Sequence, residues 1–355
     1  MPITPPPLFR REVTSAEDYI SKVGNTPLVR LNGISDEIKR NILVKLEFLN
    51  PSGSIKDRAG VYLVQDAIQN KGLKPGGTLV DGTAGNTGVS LCAFAKLQNY
   101  KVVLFVPSTL IQDKVDKLTN YGAEIKKIEI DPKDSLHINV LAAEYASGLD
   151  NGVHVDQMNN LNNQRAHFEN TGPEIWKQTN GEIDAFVCGS GTGGTFSGTT
   201  KYLKKISNGK VKAIIADREG SGLDHYIRSH GAAFQAEGES FIEGVGKLAL
   251  PGNLKDVLSL ADGSYRVLDS EVIPVIYRLI DEENIRVGGS SGMNITTAIK
   301  YAKTLPEGST VVTVSPDDAN NYASKLFNKK WLIEKGHWDV IPDHLKKYAT
   351  YTKEK

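Results

Sequence analysis

Residues 51–58 have the sequence Pro-Ser-Gly-Ser-Ile-Lys-Asp-Arg, and this segment decides how the rest of the chain is interpreted. A strand-like run at 43–48 precedes it, and an amphipathic helix pattern begins near Asp57. Lys56 therefore lies where a glycine-containing turn becomes a helix, near the positive end of the helix dipole. This position favours a neutral amine, which can condense with an aldehyde. An isolated lysine in a turn is usually a solvated surface residue, so its neighbours must decide.

Length and charge exclude several classes of protein. The chain has 355 residues, which suggests two domains or one large domain. Its 39% hydrophobic and 24% charged residues are ordinary for a globular protein. Lys+Arg and Asp+Glu both number 42, so no net charge attracts nucleic acid, and we expect no nucleic-acid partner.

The cysteines and the apolar segments indicate neither a disulfide framework nor a membrane span. Cys92 and Cys188 lie in apolar runs, and their spacing predicts neither a zinc site nor any other metal site. No run approaches ~18 apolar residues. Residues 1–7 lack the apolar core of a signal peptide, but this proline-rich start leaves open an upstream anchor or targeting segment. We expect a cytoplasmic or mitochondrial protein, with membrane association only through such an anchor.

Strand and helix patterns alternate from Lys56 onward, which predicts an α/β fold with parallel sheets and helices on both faces. Before it, we predict a helix over 15–22 and a strand over 28–31. The later predicted strands cover 78–80, 101–106, 124–130, 153–155, 183–188, 211–216 and 310–314. The later predicted helices cover 89–97, 110–121, 135–147, 164–178 with an interruption at 172–173, a segment ending at 205, 270–283 and 293–303.

A glycine-rich loop, residues 189–195, follows a buried strand and opens a helix. Glycines let the backbone approach an anion, and the helix N-terminus supplies N–H donors. Thr192 and Thr195 add hydroxyl groups. On this loop alone, a dinucleotide and a single phosphate monoester both stay open, because three glycines fit the dinucleotide spacing and Asp217 ends the next strand. Lys56 and a second loop favour the monoester.

The second loop, residues 83–88, has the sequence Thr-Ala-Gly-Asn-Thr-Gly and also lies between a strand and a helix. Its amide, hydroxyl and backbone N–H groups suit a carboxylate or a ring hydroxyl. Alone, Asn86 and Thr87 would usually form a helix cap.

In this order, the three segments resemble the fold type II pyridoxal phosphate enzymes, specifically the branch of cysteine synthase (O-acetylserine sulfhydrylase) and cystathionine β-synthase. The resemblance runs from Tyr19 to Phe327, and residues 164–194 are most similar to fungal cysteine-synthase-like proteins. Further matching segments are 24–28, 156–157, 219–221, 243–246 and 289–292.

The resemblance implies two three-layer α/β domains with mostly parallel sheets, as in tryptophan synthase β, and the cofactor between them. The smaller, mobile domain would span 52–160 and carry the substrate loop. The larger domain would span 161–355 and hold the cofactor phosphate, and residues 1–51 would pack on it. Family members are usually homodimers.

The resemblance also implies the roles of individual residues around pyridoxal 5′-phosphate. Lys56 would bind the cofactor aldehyde covalently and move the Cα proton of the substrate, and Asn86 would bond the ring hydroxyl. The 5′-phosphate would be held by Gly191, Thr192, Gly193, Gly194 and Thr195. The substrate would be bound by Thr83, Ala84, Gly85, Asn86, Thr87, Gln157 and Gly244.

Two positions depart from the family pattern. Ala84 stands where a serine is usual, and Asp318 falls where a serine or threonine normally contacts the pyridine nitrogen, with Ala319 replacing a glycine. A buried carboxylate there would favour a protonated ring nitrogen, because opposite charges within ~4–6 Å stabilise each other. The alternative is a different register, in which Ser315 faces the ring or Asp318 points to solvent.

The leading functional prediction is replacement at the β-carbon of a serine-type amino acid, with O-acetylserine and sulfide giving cysteine and acetate. A cysteine desulfhydrase or other lyase is the alternative that Ala84 and Asp318 favour. An alternative of another class is a cofactor-binding interaction protein with weak catalysis. The partners expected are a small amino-acid substrate and sulfide or a thiol.

Other charged residues near these motifs are interpreted structurally. None of the seven histidines falls in a motif, and His154 and His167 are expected to be structural. Asp57 and Arg58 are expected to pair locally at the start of their helix.

Overall fold

The computed structural model describes residues 12–351 except 130–136 and 247. Residues 1–11, residue 130 of the strand predicted over 124–130, and residues 135–136 of the helix predicted over 135–147 lie outside the described residues. Ten strands are described. They are β1 Leu28–Arg30, β2 Asn41–Leu46, β3 Thr78–Gly82, β4 Lys101–Pro107, β5 Ala123–Ile128, β6 Gly152–His154, β7 Ala185–Gly189, β8 Lys212–Arg218, β9 Gly263–Val267 and β10 Thr310–Ser315.

These strands form two sheets, as the alternating pattern predicts. The larger has the order β1-β2-β10-β7-β8-β9, in which only β1 is antiparallel to its neighbour. The smaller is parallel throughout, with the order β5-β4-β3-β6. Strand β10 lies at the centre of the larger sheet, where Thr313 pairs with both Val44 and Val187. Open parallel sheets bind ligands beyond the carboxyl ends of their strands, which places the expected site after β3, β7 and β10.

Fifteen α-helices connect these strands in the described residues, and none is long and apolar enough to cross a membrane. They are α1 Ala16–Lys22, α2 Asn32–Ile38, α3 Lys56–Gln69, α4 Asn86–Lys96, α5 Gln112–Asn120, α6 His137–Ser147, α7 Asn162–Ala166, α8 Gly172–Gln178, α9 Gly194–Ile206, α10 Leu223–Arg228, α11 Gly252–Lys255, α12 Asp269–Glu283, α13 Gly289–Ala302, α14 Ala323–Leu326 and α15 Lys329–Glu334. Short turns of 3₁₀-helix occur at Glu47–Leu49, Leu258–Leu260, Ala319–Tyr322 and Asp343–Tyr348.

Element boundaries differ from the predictions in informative ways. Helix α4 begins at Asn86, three residues earlier than predicted, so the second loop forms the first helical turn. The interruption of the predicted helix over 164–178 is a π-helical turn, His167–Thr171, which lies just before the Gly172-Pro173 pair. Helices α2 and α10 and strand β9 were not predicted, because they are short and carry weak periodicity.

Each sheet has its own buried core. The core of the smaller sheet includes α3 and α4, and Tyr19 of α1 packs into it with Phe94 at a ring-centroid distance of 5.3 Å. Strands β1 and β2 join the larger sheet instead. The described part of the predicted N-terminal segment, residues 12–51, therefore divides between the two cores. The predicted boundaries at 51/52 and 160/161 remain predictions.

Candidate active site

A cleft of about 390 Å³ collects most of the predicted site residues. Its volume falls within the range of roughly 300–1,000 Å³ that is usual for small-molecule sites. Twelve of the fourteen predicted site residues line it, and the two that do not are Gly194 and Asp318. The lining residues among them are Lys56, Thr83, Ala84, Gly85, Asn86, Thr87, Gln157, Gly191, Thr192, Gly193, Thr195 and Gly244, with Asn86 and Lys56 each predicted in two roles.

The turn before Lys56 is held by Asp57, which is fully buried. The Ser52 amide donates to one carboxylate oxygen of Asp57 at 2.6 Å, and the Tyr19 hydroxyl donates to the other at 2.7 Å. Gly53 has φ +91°, a backbone conformation that residues other than glycine rarely adopt. The Ile55 amide also donates to Pro316 O at 2.8 Å, so the backbone leading to Lys56 is anchored on both sides.

Arg58 does not pair with Asp57, and the predicted local pair is wrong. Arg58 Nε and Nη2 donate to the two Glu47 carboxylate oxygens at 2.7 and 2.8 Å. Its Nη1 and Nη2 also donate to Glu174 at 2.7 and 2.8 Å. Burial alone would raise the pKa of Glu47, but the Arg58 charge lowers it to about 2. Arg58 therefore anchors the first turn of α3 to the 3₁₀ turn that follows β2 and to α8. A charge this deeply buried needs such partners.

The glycines of the loop at 189–195 are required by close packing. An added Cβ at Gly191 would lie 2.1 Å from Gly244 O, and one at Gly194 would lie 2.1 Å from Asn163 Oδ1. Gly193 has φ +90° and is the N-cap of α9. The loop therefore presents backbone, not side chains, at the start of a 13-residue helix whose first N–H groups lack helical partners. Such an arrangement binds phosphate.

Two threonines of this loop are oriented by buried neighbours. Thr192 Oγ1 accepts from Asn163 Nδ2 at 3.0 Å. Thr195 Oγ1 lies 3.2 Å from His167 Nε2, and His167 Nδ1 lies 2.9 Å from Thr171 Oγ1. Burial lowers the pKa of His167 to about 3, so the imidazole is neutral at physiological pH. His167 thus has the structural role that was predicted for it, and it is directed at the loop.

We expect Gly191→Ala to weaken the binding of pyridoxal 5′-phosphate, the cofactor that the sequence resemblance implies, by about 10–100-fold. The added methyl group cannot fit against Gly244 O, so the two loops must separate, and overpacking of this kind costs ~1–3 kcal/mol. Titration of the apoprotein with pyridoxal 5′-phosphate measures the effect. Gly148→Ala is the control, because its Cβ would meet Tyr145 O at an ordinary 3.6 Å, away from the cleft. An unchanged dissociation constant for Gly191→Ala would contradict this account of the loop.

The loop at 83–88 surrounds the other side of the cleft. Thr83 Oγ1 accepts from the Gly85 amide at 3.3 Å, and nothing lies within 4 Å of an added Cβ at Gly85. Thr87 Oγ1 donates to Gln157 Oε1 at 2.6 Å. Gln157 Nε2 lies 3.5 Å from Gly82 O, and since it carries two hydrogens it can still donate one to a ligand. Thr87 and Gln157 therefore act as a pair.

Asp318 does not line the cleft, contrary to the prediction from the family pattern. It is the N-cap of the 3₁₀ turn Ala319–Tyr322, where its carboxylate accepts from Asn320 N at 2.9 Å and Asn320 Nδ2 at 2.8 Å. It faces a separate depression of about 40 Å³. Ser315 is also outside the lining, since it is buried and its hydroxyl donates to Ser291 Oγ at 2.9 Å.

Asp317 faces the cleft in its place, and it is only 4% exposed. Its Oδ2 accepts from Asn86 Nδ2 at 2.9 Å and from Asn321 Nδ2 at 3.0 Å. Burial raises the pKa of Asp317 to about 6, although both amide hydrogen bonds oppose that shift. Sequence patterns could not separate Asp317 from Asp318, because adjacent acidic residues in a turn give no periodic signal.

Charged residues at the edge of the cleft were also missed. Lys114 on α5 pairs with Glu243, which accepts from Lys325 Nζ at 2.6 Å as well. Burial would raise the pKa of Glu243, but hydrogen bonds from the two lysines lower it. Lys117 Nζ donates to Asn321 Oδ1 at 2.8 Å. Glu243 lies in one of the matching segments, whereas the two lysines of α5 resemble an ordinary solvated helix face.

Comparisons with known proteins agree with this geometry. A family model described as pyridoxal-phosphate dependent enzyme matches residues 20–317. Cysteine synthase 1 of Neurospora crassa is 46% identical over 94% of this chain and 89% of its own length. Cysteine synthase 1 of Emericella nidulans is 46% identical over 96% and 93%. The crystal structure of O-acetylserine dependent cystathionine beta-synthase from Helicobacter pylori has a TM-score of 0.79 and 30% identity, and it covers 88% of this chain and 98% of that one.

Proposed function

The chain belongs to the family of pyridoxal-phosphate dependent enzymes, with a fold type II architecture, and we propose that it is a cysteine synthase. In this reaction a β-activated serine, O-acetylserine, and sulfide give cysteine and acetate. The observation that carries the proposal is the 46% identity to two fungal cysteine synthases over almost the whole chain.

The residues of the cleft fit pyridoxal 5′-phosphate. Lys56 and the loop at 189–195 line one cavity, so one small molecule can reach both. Gly191 packs so closely against Gly244 that no side chain fits between them. The loop can therefore present its backbone N–H groups to a phosphate. When bound, the cofactor supplies an electron sink for charge at the substrate Cα. We assign its aldehyde to Lys56, its ring hydroxyl to Asn86, and its phosphate to Gly191, Thr192, Gly193, Gly194 and Thr195.

Lys56 is the group that holds and moves a proton in this proposal. Its Nζ would take the proton from the substrate Cα, because the anchored turn brings the amine into the cleft. The pair Thr87–Gln157 and the N-terminal amides of α4 would bind the substrate carboxylate. Thr83, Gly85 and Gly244 would complete the substrate site, and Ala84 leaves one hydroxyl group fewer than is usual in the family.

The lyase alternative loses part of its support. It rested on Ala84 and Asp318, and of these only Ala84 lines the cleft. A homodimer and a cytoplasmic or mitochondrial location remain predictions.

The purified holoenzyme tests the proposal directly. We expect cysteine to form from O-acetylserine and sulfide, at a rate that exceeds sulfide release from cysteine by at least about tenfold. Serine and O-phosphoserine as donors, and homocysteine as acceptor, define the substrate class. Sulfide release without cysteine formation from any donor would overturn the synthase and favour the lyase. Cofactor binding without turnover of any of these substrates would favour the interaction protein.

A further inference from the structure

A chain of four polar side chains joins the two walls of the cleft. Asn86 and Lys117 lie on α4 and α5 beside the smaller sheet, and Asp317 and Asn321 follow β10 of the larger sheet. Lys117 Nζ donates to Asn321 Oδ1 at 2.8 Å. Asn321 Nδ2 donates to Asp317 Oδ2 at 3.0 Å and lies 3.3 Å from Asn86 Oδ1. Asn86 Nδ2 donates to Asp317 Oδ2 at 2.9 Å.

The two ends of this chain have fixed polarity. An ammonium group only donates hydrogen bonds, and an ionised carboxylate only accepts them. The orientation of an amide has to be inferred from its partners. If the Asn321 amide turned over, its nitrogen would face Lys117 and its oxygen would face Asp317, so both bonds would be lost. The same argument applies to Asn86, whose oxygen faces the Asn321 amide nitrogen. Each amide therefore has one orientation.

The charge of Asp317 is unfavourable for stability and therefore calls for an explanation. The residue is buried, its Oδ1 has no hydrogen-bond partner among the described residues, and burial raises its pKa to about 6. It is still ionised at neutral pH. A buried carboxylate that only filled space could be replaced by a neutral group at little cost. Costly buried charges concentrate at functional sites.

We propose that Asp317 is a positioning residue of the cofactor site, which locks the Asn86 amide so that Asn86 offers an N–H to the ring hydroxyl of pyridoxal 5′-phosphate. The Asn86 amide nitrogen has two hydrogens, and Asp317 binds one of them, which leaves the second for the ligand. The proposal rests on the proposed function only through cofactor binding, and it holds whichever amino acid is the preferred substrate.

The test compares two neighbouring aspartates. Asp317→Asn removes the acceptor-only end of the chain, so the Asn86 amide can turn over. We expect the dissociation constant of pyridoxal 5′-phosphate for the apoprotein to rise about tenfold, which corresponds to the loss of one hydrogen bond. We also expect the melting temperature of the apoprotein to stay the same or rise, because a buried charge has been removed. Asp318→Asn makes the same chemical change one residue away, where asparagine caps a helix equally well, and it should keep the affinity of the unmodified protein.

Three results would overturn the proposal. The first is an unchanged dissociation constant for Asp317→Asn. The second is a loss of cofactor affinity in Asp318→Asn as large as that in Asp317→Asn. Such a result would mean that the net charge of the turn, and not the Asp317 carboxylate itself, affects binding. The third is a loss of affinity accompanied by a lowered melting temperature of the apoprotein, which would assign Asp317 a structural role only.

A second variant covers a failure of Asp317→Asn to fold. Lys117→Gln changes the other end of the chain, since glutamine can either donate or accept, and it should weaken cofactor binding in the same direction. Affinity equal to that of the unmodified protein would overturn the proposal. These readouts are separate from the synthase assay, because a protein that binds the cofactor and makes no cysteine contradicts only the proposed function.

Discussion

Lys56→Ala is expected to abolish covalent cofactor attachment and to lower turnover at least about 10³-fold. The substitution removes both the amine that binds the aldehyde and the base for the Cα proton. The role of the base alone is worth roughly 10²–10⁴ in rate. Borohydride reduction of the holoenzyme, followed by mass spectrometry, identifies the attached lysine. Lys56→Arg is the matched control, because it keeps the positive charge and should be equally inactive if the amine chemistry is what matters.

Two other lysines line the cleft, so the assignment can fail in a definite way. Lys114 pairs with Glu243, and Lys117 donates to Asn321. Both amines have partners at the edge of the cleft. The turn that precedes Lys56 is held by the buried Asp57 and by Pro316. A reducible adduct on Lys114 or Lys117 in the unmodified protein, or any reducible lysine adduct in Lys56→Ala, would contradict the assignment.

The parts of this site that the sequence predicts are local in character. Lys56, the loop at 83–88 and the loop at 189–195 each follow a strand and open a helix, so turn residues and helix periodicity mark them within a few positions. The parallel sheets follow from the same alternation. These features need no knowledge of distant contacts. The structure brings them together because segments that follow β2 and β7 of the larger sheet and β3 of the smaller sheet all line the same cleft.

The site features that the sequence does not predict are of two kinds. Some depend on contacts between residues far apart in the chain, and others depend on an alignment that is correct to a single residue. Arg58 forms an ion pair with Glu174, which lies 116 residues further along the chain, and no local pattern indicates that pairing. Asp317 and Asp318 differ by one position in a turn, where a backbone bridge of Asp318 to Val287 and its capping bond direct it away from the cleft. A family alignment supplies residue order, but the hydrogen bonds of that turn decide which carboxylate faces the ligand.

Arg58→Met is expected to lower the free energy of unfolding of the apoprotein by about 3–5 kcal/mol. Methionine fills much of the space, but it leaves Glu47 buried without its counter-charge, and the loss of one partner of a buried pair costs this much. Urea unfolding at neutral pH measures the change. Arg278→Met is the matched control, because that arginine is 30% exposed in its pairs with Glu37 and Glu282 and should contribute about 1 kcal/mol or less.

The pH dependence of this deficit has a definite sign. In the unmodified protein the pKa of Glu47 is lowered to about 2, so its stabilising contribution is present above the ordinary value of 4.5 and is lost as the pH falls toward 2. In Arg58→Met the lone buried Glu47 favours its neutral form, so acid relieves the variant while it weakens the unmodified protein. The difference between the two should therefore shrink below pH 4.5, and Glu47→Gln added to Arg58→Met should recover part of the neutral-pH loss. Equal costs for Arg58→Met and Arg278→Met would show that the buried network does not anchor the helix that begins at Lys56.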